Sequence, residues 1–231
     1  MGKIIKIVLA IFIIILLAAL GLFIYSEGHS EVIGENDLGS INKVTYGHSS
    51  DPTVKIGIVS GMHSREQVHK YVLPLVSRLF AFLNPDVKIV NYVVDVTDHP
   101  EDFDIGRANG ESLVHDYVVN DVDNEDLDLV IIGHDHEPGY GEGYYVATPS
   151  MDDASVELAS EVCSDIGFNH YTRNKSQRSK STSIVNVDNP IVETGTRLFV
   201  YEIPEGDSKI HAFLESYNLV SDSCNKLKSL Q

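Results

Sequence analysis

The stretch VKIGIVSGMHSREQVHKYVLPLVSRLFAFLNPDVKIVNYVVDV, residues 54–96, decides the fold. Its two ends, Val54–Ser60 and Val87–Val96, are short runs rich in β-branched residues, the composition of buried strands. Between them Val68, Tyr71, Val72, Leu75, Val76 and Leu79 recur at helical spacing, so residues 67–83 read as an amphipathic helix. Strand, helix and strand in that order predict a βαβ unit. Further along, the same alternation predicts a helix over 109–119, a buried strand over 127–132 and a helix over 152–166 capped by Ser150. A strand over 197–203 follows, with an edge strand expected at 209–213. The expected architecture is α/β, a three-layer sandwich with a mostly parallel or mixed sheet, whose ligands bind beyond the C-terminal ends of the strands.

The chain has 231 residues, enough for one domain with an appendage. With 34 acidic against 17 basic residues its formal net charge is -17, which argues against a grip on nucleic-acid phosphates. Residues 7–25 carry no charge, and as a helix this run of 19 is about 28 Å long, close to the thickness of a bilayer's hydrocarbon core. Lys3 and Lys6 precede it and Glu27 follows, so the expectation is a transmembrane signal anchor over 1–25, N-terminus inside, with the rest extracytoplasmic at the cell membrane. The alternative is a cleaved signal peptide, for which Ala19, Leu20 and Gly21 offer small residues. Five Ser and four Gly in 26–50 read as a flexible tether, leaving 51–215 as the globular domain and 216–231 as a C-terminal tail. Cys163 and Cys224 read either as a disulfide or as two free thiols. Asn174-Lys175-Ser176 fits a glycosylation acceptor.

The polar residues that break this pattern sit at strand ends. After the first strand come His63 and, three residues on, Glu66; after the third come His134, Asp135 and His136. Two imidazoles and a carboxylate with an open fourth position are the ligand inventory of a hydrolytic zinc site. Such chemistry also wants a carboxylate to take and return a proton, and Glu202, interrupting the apolar run 198–201, is the candidate. His136 in place of His134 stays open as a ligand, and so does Asp135 as a supporting partner.

The stretches IGIVSGMHSREQ (56–67), GRANGESLVHDYVV (106–119), DLVIIGHDH (128–136) and NPIVETGTRLFVYE (189–202) together resemble the zinc carboxypeptidase superfamily. That superfamily includes the succinylglutamate desuccinylases and aspartoacylases, and the likeness in look is to membrane-anchored members from methanogenic archaea. The resemblance implies one Zn2+ held by His63, Glu66 and His134, with Glu202 as general base. It also implies substrate-carboxylate or oxyanion contacts at Arg107 and Asn109, which makes Arg107 a catalytic as well as a substrate-binding candidate. Its substrates would be peptides or N-acyl amino acids. The short interval between Glu66 and His134 points toward the compact deacylase branch.

Other readings compete. Tyr144 and Tyr145, behind the glycines of 139–143, suit either a cap on a substrate pocket or plain strand packing. Residues 121–126 look like a calcium loop but lack its glycine and its closing Glu, so they read as a solvated acidic turn. His29, His48, His69, His99, His115, His170 and His211 read as surface or core residues. Gly-His-Asp-His also resembles the last motif of calcineurin-like metallophosphoesterases, whose earlier motifs are missing. A third reading is an anchored domain that holds peptides without cleaving them.

Overall fold

A computed structural model describes residues 2–25, 28–47, 49–173 and 181–231. The glycosylation triplet at 174–176 and His48 lie outside the described residues. The order of elements is α1 (Gly2–Tyr25), β1 (His29–Asn36), β2 (Gly39–Tyr46), β3 (Val54–Ser60), α2 (Val68–Leu83), β4 (Val87–Val96), α3 (Phe103–Leu113), α4 (Val119–Glu125), β5 (Leu129–His136), β6 (Tyr145–Ala147), α5 (Asp153–Ile166), β7 (Asn169–Tyr171), α6 (Asn189–Glu193), β8 (Arg197–Pro204) and α7 (Lys209–Ser229). Short π-helical turns, Val114–Val118 and Ile184–Asp188, lead into α4 and α6.

One eight-stranded mixed sheet runs β1-β2-β4-β3-β5-β8-β6-β7, and β4, β3, β5 and β8 at its centre are parallel. Helices cover both faces, because central strands that are apolar on both sides need burial on both. On one face Ile56, Ile58, Ile89 and Ile131 meet α2, α5 and α7 through Val72, Val76, Leu158 and Leu219. On the other, Val59, Val90, Tyr92 and Ile132 meet Leu113, Val118, Val122 and Ile191. This is the three-layer α/β sandwich expected, with its central strands and α2 where the periodicity placed them.

Several boundaries need correction. The supposed tether 26–50 carries the hairpin β1–β2, and β2 pairs with β4 along its whole length with Ile41 buried in the core. Residues 209–213 open a helix, not an edge strand, and the supposed tail belongs to that helix, α7, which buries Leu219, Val220, Cys224 and Leu227. The cap of α5 is Asp152, whose side chain accepts from the Ser155 amide, in place of Ser150. Both cysteines are free and buried, and burial pushes the Cys163 thiol up to about 12. Most of the described side chains of α1 are exposed, and over the described residues no helix is long and apolar enough to cross a membrane, so the anchor rests on the sequence.

Candidate metal centre

The C-terminal ends of β3, β5 and β8 meet at a cavity of about 670 Å³. Gly61 ends β3 at φ 84°, a conformation that favours glycine, and turns the chain so that His63 and Glu66 face His134 on β5. The His63, Glu66 and His134 donor atoms lie within 4.8 Å of one another. His63 Nδ1 is 2.8 Å from Glu66 Oε1, His134 Nδ1 is 3.0 Å from Glu66 Oε2, and the two imidazole centroids are 4.3 Å apart. Among the described residues this is the one such group. The three side chains fit a metal ion, since two imidazoles and one carboxylate bring their donor atoms together beside open space.

Electrostatics hold the cluster together. Burial alone would lower the His134 pKa, but the Glu66 carboxylate overrides it and raises it to about 9. Burial likewise disfavours ionised Glu66, and the facing imidazoles reverse this and hold its carboxyl well below the usual range. Glu202 is the register partner of His134 on the adjacent strand β8, and it lines the cavity. Burial raises its pKa, partly opposed by His134. A carboxylate with raised proton affinity beside an ion-binding cluster is equipped to accept a proton from water and return it.

Arg107, at the cavity wall on α3, donates from Nε to Glu111 Oε1 at 3.1 Å and from a terminal nitrogen to Ser183 Oγ at 3.3 Å. Asn109 is not at the cavity: its amide donates to the Asp98 carbonyl at 2.9 Å and carboxylate at 3.0 Å, bracing the loop before α3. Tyr144 is not a cap either. Its ring stacks on Phe168 and Tyr201 and its hydroxyl donates to Asp207, whereas Tyr140, 79% exposed, stands at the mouth. His136, the alternative to His134, lies outside this group, its Nε2 2.9 Å from the Gly143 carbonyl.

Asp135 is the supporting partner left open by the sequence and His69 a core residue, whereas the place of Glu111 was not read from the sequence. Asp135 caps α2 from across the sheet, accepting from the Val68 and His69 amides, while its own amide donates to Glu66 Oε2 at 3.0 Å. His69 is buried and structural, between the Gly61 amide and Asp135. Glu111 is 1% exposed and brings Oε1 to 3.7 Å from His63 Nε2, a buried nitrogen with no hydrogen-bond partner. Gly110 makes this approach possible, because a Cβ there would strike the Met62 carbonyl. Burial raises the Glu111 pKa, and His63, Thr182 and Arg107 together pull it below its ordinary value.

A mixed sheet with this His/Glu/His cluster at its strand ends defines a fold, that of the metallo-carboxypeptidases. The structure is similar to the metallo-carboxypeptidase of Burkholderia cenocepacia, with TM-score 0.63 and 11% identity over 93% of this chain and 68% of that one. It is similar to the metallo-carboxypeptidase of Pseudomonas aeruginosa in complex with (2-guanidinoethylmercapto)succinic acid, with TM-score 0.61 and 12% identity over 93% and 68%. The tripeptide-bound cell shape determinant Csd4 of Helicobacter pylori matches with TM-score 0.53 and 11% identity over 81% of this chain and 55% of that one. No family model and no curated protein matches the sequence.

Proposed function

We propose that the chain is a zinc-dependent hydrolase that cleaves an amide bond, of the carboxypeptidase or N-acyl amino acid deacylase type, on the outer side of a membrane in which α1 is the anchor. The carrying observation is the meeting of His63, Glu66 and His134 with Glu202 beside them on the next strand. His63, Glu66 and His134 would hold the ion, which when bound polarises a carbonyl and lowers the pKa of its water to about 7. Glu202 accepts the proton of the attacking water and passes it to the leaving nitrogen as the C–N bond breaks. Arg107 orients the substrate by its carboxylate, since a guanidinium fork matches that group.

The test combines metal analysis with turnover on N-acyl amino acids and dipeptides. The wild-type chain is expected to bind one zinc, and His63→Ala or His134→Ala to lose it. Glu202→Gln is expected to keep its zinc and lose about a hundredfold to ten-thousandfold in kcat. Two metals with phosphatase turnover would overturn the reading, and zinc without any hydrolysis would leave a peptide-binding domain.

A further inference from the structure

Helix α2 turns Val72, Val76 and Phe80 into the core, yet its outward side is apolar as well. Tyr71 and Leu75 stand one turn apart and more than half exposed, and Arg78, Leu79 and Phe82 continue that side toward the end of the helix. The start of α7 adds Ile210 and Leu214, again one turn apart and more than half exposed. Lys209 Nζ, over the Tyr71 ring at 4.1 Å, joins the two pairs into one surface. Single exposed apolar residues are ordinary, but a contiguous stripe on two packed helices marks a contact surface.

Charge and place say what covers it. Of the 34 acidic residues in the chain α2 has none, and the cations along the stripe are Lys70, Arg78 and Lys209. Lys70 has the exposed Asp95 at 3.9 Å, and the carboxylates at the start of α7, Asp207 and Glu215, are turned to Tyr144 and His211. The stripe is also continuous with α1: the Arg78 guanidinium donates to the Phe23 carbonyl at 2.7 Å, and Phe82 packs edge-on against the Phe23 ring. A surface apolar at its middle, basic at its edges and joined to a membrane helix has the make-up of one that lies in the interfacial layer of a bilayer. We propose that the face formed by α2 and α7 rests in the headgroup layer of the membrane that α1 enters, with Tyr71, Leu75, Ile210 and Leu214 inserted and Lys70, Arg78 and Lys209 facing anionic headgroups. The proposal takes the membrane from the anchor reading above and adds a second contact, which is tested apart from it.

The chain contains no tryptophan, so a single introduced Trp reports its own surroundings. Full-length Leu75→Trp and Ile210→Trp, with Leu16→Trp in α1 and Asn124→Trp in α4 on the opposite face of the sheet, are each placed in vesicles of phosphatidylcholine and phosphatidylglycerol carrying brominated acyl chains. Leu75→Trp and Ile210→Trp are expected to lose most of their emission to bromines near the headgroups, Leu16→Trp to bromines deep in the chains, and Asn124→Trp to neither. Omitting phosphatidylglycerol, or combining Lys70→Glu with Lys209→Glu, is expected to weaken the quenching at 75 and 210 and leave that at 16 unchanged. Quenching at 16 with none at 75 and 210 would overturn the docked face and leave the anchor, and quenching at 75 and 210 with none at 16 would do the reverse. Emission at 75 and 210 that shifts to the blue without quenching, in a chain that cross-links to itself, would assign the face to a second copy and overturn the proposal. Equal quenching with and without phosphatidylglycerol would overturn the part given to the cations.

Discussion

Glu111 stands where a single charge decides how firmly the metal cluster is set. His63 turns Nδ1 toward Glu66, so its Nε2 is left to face Glu111 Oε1, 3.7 Å away in a buried setting. A carboxylate behind a ligating imidazole fixes the ring's tautomer and orientation and strengthens the nitrogen in front. Glu111→Gln keeps the shape and removes the charge, and zinc affinity is expected to fall about tenfold to a hundredfold in a chelator competition. An unchanged affinity would mean that Glu111 serves Arg107 alone. The meeting of His63, Glu66 and His134 was legible as residue types at strand ends, because strand C-termini collect function in α/β sheets. Glu111 was not, although it lies in GRANGES, since its role depends on the contact of α3 with the loop after β3 and on a glycine too small to obstruct it. Asn109 and Tyr144 misled for the matching reason: polarity and place along the chain say nothing about which way a side chain turns.

At the scale of elements, the β1–β2 hairpin shows what periodicity leaves out. Its residues are Ser, Gly, Asn and Lys among few apolar ones, and only alternate β2 side chains such as Ile41 and Lys43 are buried, so its pattern reads as linker. Likewise α7 hides its amphipathicity behind buried Ser216 and Ser223. What ties the hairpin down is charge as well as the ladder: Lys43 Nζ lies 2.8 Å from Asp121 and 2.6 Å from Glu125 of α4, with its side chain 6% exposed, and Lys88 also pairs with Glu125. Lys43→Met strands two carboxylates and is expected to cost about 3 kcal/mol or more at neutral pH, read from denaturant melts. The pH dependence has a definite sign. Burial raises the Glu125 pKa, but Lys43 and Lys88 pull it below its ordinary 4.5, so its contribution is full above 4.5 and is lost as the pH falls through the lowered value. Burial lowers the Lys43 pKa, but Asp121 and Glu125 raise it above 10.5, so its contribution is full below 10.5 and is lost at higher pH. The gap between wild type and Lys43→Met should therefore shrink in acid below pH 4.5, where protonation relieves the stranded carboxylates. A gap that is constant from pH 3 to 9 would assign the effect to packing alone.

At the scale of the whole molecule, an acidic globular part is joined to a helix that is apolar all round, and the two ask for different solvents. Isoleucines, leucines and Phe12 of α1 stand about half exposed or more, an area that water penalises and a bilayer accepts. Among the described residues the helix meets the rest where the Arg78 guanidinium lies over the Phe23 ring at 4.7 Å and Phe82 packs edge-on at 5.6 Å. A contact so small cannot hide such a surface from water, so the intact chain is expected to stay with membranes through alkaline carbonate extraction, and external protease is expected to release the globular part. The site of cutting matters to what is released. Cleavage within 26–28 leaves β1 paired to β2 and β2 to β4 and should yield a soluble fragment with one cooperative melt. A fragment beginning at Asp51 loses the hairpin, uncovers the edge of β4 and removes Ile41 from the core, and it should aggregate or melt well below the longer fragment. Extraction of the intact chain by carbonate would refute the anchor, and equal melting of the two fragments would refute the hairpin's place in the folded unit.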